Sequence, residues 1–122
     1  MIAHVVLFRP KESLSDAERH EFIQAIEHAF TNIPSIKRAT IGRRVVLGRA
    51  YDDQNRENFP YAGILEFEHE DDLRAYLDHP AHKSLGEQFY VASEAALVFD
   101  YDLLDCTRAH ELRYRLSKTP AI

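Results

Sequence analysis

The chain opens on a run, Ile2 to Arg9, that is rich in valine, leucine and phenylalanine. Side chains alternate across a strand, so Ile2, His4, Val6 and Phe8 share one face and Ala3, Val5, Leu7 and Arg9 the other. Both faces are largely apolar. Pro10, which has no N–H to give to a sheet ladder, ends the run. A strand of this kind needs a packed layer on each side, which restricts the fold to a sheet covered on both faces.

The following segments say what covers it. Ser15 and Glu18 have the spacing of a capping box, and Phe22, Ile23, Ile26, Ala29, Phe30 and Ile33 then recur at helical spacing up to Pro34. Ile36 to Val46 reads as a second strand, with Arg43 and Arg44 near its end. Leu47 to Pro60 contains Gly48, Asp52, Asp53, Asn55, Asn58 and Pro60 without an apolar period and reads as a long exposed connection. Tyr61 to Glu68 is a third strand, and Asp71 to Leu77 a short helix with Leu73, Tyr76 and Leu77 on one side. Asp78 and His79 interrupt it. Pro80 suits the first turn of another helix, whose single face carries Ala81, His82, Leu85 and Phe89, and Ala95 to Leu104 is the fourth strand.

This order is the split βαβ arrangement of ferredoxin-like folds. It predicts an α+β domain over residues 1–104, with a four-stranded antiparallel sheet and its helices on one face. The tail, 105–122, carries Arg108, Arg113, Arg115 and Lys118 and is given no function. The far side of the sheet poses a problem, because the last strand is apolar on both sides: Leu97, Phe99 and Tyr101 on one, Ala96 and Val98 on the other. At about 25 cal/mol per Å² such a surface is costly to leave wet, and a second copy of the same sheet covers it simply. A homodimer is expected.

Composition narrows the partners. A net charge of −5 argues against nucleic acid or an anionic membrane surface, and no run approaches the roughly 18 apolar residues of a membrane span. Cys106 is the single cysteine and the start Met1-Ile2-Ala3-His4 lacks the pattern of a secretion signal, so a cytoplasmic setting is expected. There is no glycine-rich phosphate-binding motif among 4 glycines, and no cofactor is expected.

His4 shares its strand face with Val6 and Phe8, and His82 its helix face with Leu85 and Phe89. Two imidazoles thus face apolar surroundings and are expected to line one cleft with Tyr76, roofed by Phe22 and Ile26. Such burial lowers a histidine pKa and suits acid/base work, which makes proton abstraction next to a carbonyl one reading. Another is a cleft that holds a small apolar ligand without changing it. The structural alternative has His79 capping the second short helix and His82 bonding a nearby carbonyl, whereas a buried His4 would need a hydrogen-bond partner. His79 and His82 lack the further ligands that a metal would require, so no metal site is assigned.

Three stretches resemble the stress-responsive A/B barrel (Dabb) family: His4-Val5-Val6-Leu7-Phe8, Ala75-Tyr76-Leu77-Asp78-His79-Pro80-Ala81-His82 and Val98-Phe99-Asp100-Tyr101. The resemblance implies a dimeric α+β barrel, in which two sheets pack together. A plant branch of that family contains cofactor-free polyketide cyclases, and His4, His82 and Tyr76 match its pocket residues, whereas Ile26 stands where it has a tyrosine. The expectation is a family member of unassigned activity that binds a small apolar ligand between sheet and helices through Val6, Phe8, Phe22, Ile26, Leu85 and Phe89. A cyclase or lyase using His4 and His82 is the alternative.

Overall fold

Most breaks in the sequence pattern become element boundaries. In the computed structural model, which describes residues 1–116, the chain runs β1 (Ile2–Pro10), α1 (Asp16–Asn32), β2 (Arg38–Arg43), α2 (Ala50–Gln54), β3 (Tyr61–Phe67), α3 (Glu70–Asp78), α4 (Pro80–Ala92) and β4 (Ser93–Asp102). A 3-10 turn over Cys106–Glu111 and a single helical turn, α5 (Leu112–Arg115), follow. Ser15 starts α1 as its spacing predicts: its hydroxyl accepts the Glu18 N–H at 3.1 Å while the Glu18 carboxylate accepts the Ser15 N–H at 2.9 Å. These bonds hold the Glu18 carboxyl below its ordinary pKa.

The strands form one antiparallel sheet in the order β2-β3-β1-β4. The first strand therefore lies inside the sheet, between β3 and β4, which explains why neither of its faces is polar. Helices cover one face only. Against it pack Phe8, Phe22, Leu65, Phe67, Leu73 and Leu85, with Leu65 and Phe67 fully enclosed. Phe8, Phe22 and Phe89 meet edge to face, with ring centroids 4.8 to 6.0 Å apart, in the arrangement that aromatic quadrupoles favour. The other face presents Ile64, Leu97, Phe99 and Tyr101 to solvent at 42%, 43%, 47% and 52% exposure.

Two expectations need correction. The second strand stops at Arg43 rather than Val46, and Val45, Val46 and Leu47 are exposed. One further ladder-like bond follows, from the Arg44 N–H to the Pro60 carbonyl at 2.8 Å, and the Arg44 side chain reaches Asp52 and Asn58. The connection from Leu47 to Pro60 is also not structureless, since it contains α2. Asp52 caps this helix by accepting the Arg49 N–H at 2.9 Å and lies 3.6 Å from the Arg44 guanidinium. A helix fixed by one buried carboxylate has no apolar stripe by which periodicity could reveal it.

In the tail, Asp105 caps the 3-10 turn by accepting the Thr107 N–H at 2.8 Å, and Arg115 reaches back to Asp102 at 3.3 Å. Residues 117–122, among them Lys118, lie outside the described residues. No helix among the described residues is long and apolar enough to cross a membrane.

Candidate functional site

Antiparallel pairing sets His4 directly opposite Asp100, and paired residues share a face of the sheet. His4 is 4% exposed, and its Nδ1–H donates to the Asp100 carboxylate at 2.5 Å. That bond fixes the tautomer of the neutral ring and leaves Nε2 as its acceptor nitrogen. The partner that a buried His4 requires is thus a carboxylate on the last strand. Asp100 joins the candidate site, although in the sequence it stands out only as part of the closing motif. Its signal is the register: once first and last strands pair, Asp100 falls across from His4.

Three rings form a chain beneath α3 and α4. The centroids of His4 and Tyr76 lie 5.6 Å apart and those of Tyr76 and His82 4.6 Å, each pair edge-on. Burial pushes the Tyr76 phenol up to about 12, so it remains protonated at neutral pH. The His82 imidazole lies below its ordinary value, first through burial and then through the nearby His4, while a main-chain hydrogen bond with Leu77 works in the opposite sense. His79 caps α4: its Nδ1 accepts the Ala81 N–H at 3.0 Å. The capping role expected of His79 is therefore present, and His82 takes a place in the ring chain.

The apolar residues divide between two spaces. A cavity of about 580 Å³ opens at the Pro10 end of β1, with Phe8, Leu14, Phe22, Ile26 and Ile41 among its walls. Deeper, a void of about 30 Å³ is bounded by Val6, Leu85, Phe89 and Tyr76. Phe8, Ile26 and Ile41 border both spaces and stand between them. Neither space is lined by His4 or His82, so the single cleft expected from the sequence is partitioned, and Tyr76 alone of the three polar residues meets the void. Ile23, a residue of the α1 pattern with no assigned role, is a wall of the outer cavity.

The family model for the Stress responsive A/B Barrel Domain matches residues 2–103. The chain is 28% identical over 102 residues to olivetolic acid cyclase of Cannabis sativa, covering 82% of this chain and 94% of the cyclase. It is similar in structure to a dimeric protein of unknown function and ferredoxin-like fold from Bacteroides fragilis, with a TM-score of 0.60, 25% identity, and 84% and 95% of the two chains covered. It is also similar to the hydroxynitrile lyase of Passiflora edulis, with a TM-score of 0.71, 23% identity, and 85% and 94% covered.

Proposed function

The chain belongs to the stress responsive A/B barrel domain family, and on that premise we propose that it binds a small, largely apolar ligand between its sheet and helices, as a homodimer. The observation that carries this is the 580 Å³ cavity, whose walls are mostly hydrocarbon and aromatic. The dimeric description of the Bacteroides fragilis protein supports the second copy. In this reading residues 1–104 are the ligand-binding domain, the tail from 105 stands apart from it, and the setting is cytoplasmic. Titration with acetophenone, followed by NMR, tests the site. Shifts at Phe8, Phe22 and Ile26 are expected, and Ile23→Trp, which fills the outer cavity from a half-exposed position, is expected to weaken binding by roughly tenfold, about 1.4 kcal/mol. Binding that ignores this substitution would place the ligand elsewhere.

A second reading, acid/base chemistry on a carbonyl compound, is favoured by one specific observation: the carboxylate held on Nδ1 of a buried His4. A base oriented in this way, beside a phenol and a second imidazole of lowered pKa, matches the roles needed to remove a proton next to a carbonyl. In deuterated water the protein is then expected to accelerate exchange at the carbon between ring and carbonyl of phenylacetone. His4→Gln and Asp100→Asn are each expected to lose at least about tenfold of that rate. Wild-type exchange no faster than an equal concentration of free imidazole would exclude this chemistry.

A further inference from the structure

At the mouth of the outer cavity, two arginines hold one asparagine. The Arg44 Nη1 donates to Asn58 Oδ1 at 2.6 Å, and the Arg9 Nη1 donates to the Asn58 main-chain carbonyl at 2.9 Å. Both arginines are themselves restrained. Arg44 is paired with Asp52, whose side chain is only 7% exposed, and Arg9 with Glu57 and Glu94. A guanidinium has donors and no acceptor, so the atom of the Asn58 side chain that faces Arg44 must be its oxygen. Both acceptors of Asn58 are engaged, and in this exposed residue the amide nitrogen donates to no protein atom among the described residues. Asn58 lines the cavity.

From this geometry we infer that Asn58 determines ligand specificity: its side-chain amide donates to a carbonyl oxygen at the outer end of an otherwise apolar ligand. The inference rests on the cavity being the binding site. The donor is oriented before any ligand arrives, because rotating the amide would turn its NH₂ group toward Arg44 and set donor against donor. Such preorganisation lets a hydrogen bond form without a further ordering cost. A hydrocarbon fills the walls equally well but leaves the amide unmatched.

Two probes of nearly equal shape separate these cases. Acetophenone and α-methylstyrene differ by an oxygen in place of a methylene group, so the ratio of their affinities isolates the carbonyl. Asn58→Asp keeps the oxygen that Arg44 holds and removes the amide donor. Comparing that ratio between wild type and variant also cancels the different solubilities of the two probes. The wild-type preference for acetophenone is expected to fall by about fivefold in Asn58→Asp, the worth of one neutral hydrogen bond, with α-methylstyrene bound as before. Asn58→Leu, which also lacks the donor, is expected to repeat the loss. An unchanged ratio in both variants would overturn the role of Asn58 while leaving the cavity as the ligand site. If neither probe binds the wild-type protein, the cavity reading itself fails, and this assignment with it.

Discussion

A histidine beneath two helices must have its polar atoms satisfied, and His4 achieves this across the strand pair through Asp100. His82 meets the same problem differently, from the end of a helix and with partial exposure, and the outcome is a pKa below the ordinary histidine value of 6.5. Its sign determines what pH does to the protein. The folded ring releases its proton more readily than the unfolded one, so the unfolded chain binds more protons below 6.5. The stability contributed by neutral His82 is complete above that value and is lost as pH falls through the folded midpoint. Because burial is the leading cause and the nearby His4 the second, His4→Gln is expected to raise the His82 midpoint and still leave it under 6.5. An NMR titration of the ring protons reads both midpoints. A midpoint unmoved by His4→Gln would mean that the two imidazoles do not sense one another.

At the scale of elements, what could be read from the sequence was what hydrophobic periodicity and caps encode. The capping box at Ser15, the stop at Pro34, the restart at Pro80 and the alternation in the first strand are each local, and each appears as an element boundary close to where the pattern puts it. Two features escaped because long-range polar contacts decide them. The second strand carries Thr40, Gly42, Arg38 and Arg43, with Arg44 just beyond, so alternation says little about where it ends. Past its end the Arg44 N–H keeps one bond to the Pro60 carbonyl, while the Arg44 side chain holds Asp52 and Asn58 across the connection. The helix over Ala50–Gln54 is capped by the same Asp52 carboxylate, through the Arg49 N–H. The site was legible to a similar degree. His4, Tyr76 and His82 are brought together by the paired helices crossing β1, but Asp100 required the register of β1 against β4, and the partition at Phe8 required three aromatic rings from three elements to meet.

For the molecule as a whole, the controlling fact is that helices cover only one face of a sheet whose strands are apolar on both. Val5 and Leu7 on β1 pair with Phe99 and Leu97 on β4, and Ile64 on β3 also lies opposite Val5, so the exposed residues form one continuous patch. An apolar patch of this continuity on a small domain marks a contact surface, and a self-complementary face favours a two-fold partner over an unrelated one. Phe99 is central to the patch and makes no contribution to the helix-side core, so it separates assembly from folding. Light scattering coupled to size exclusion is expected to give twice the mass of one chain for the wild type. Phe99→Asp is expected to give one chain mass, because a carboxylate buried between two sheets would have no compensating charge. Retention of native-like circular dichroism by that variant would show that the substitution acts on association. A wild-type protein that runs as a single chain at every concentration would remove the dimer from the account and require another layer over Leu97, Phe99 and Tyr101.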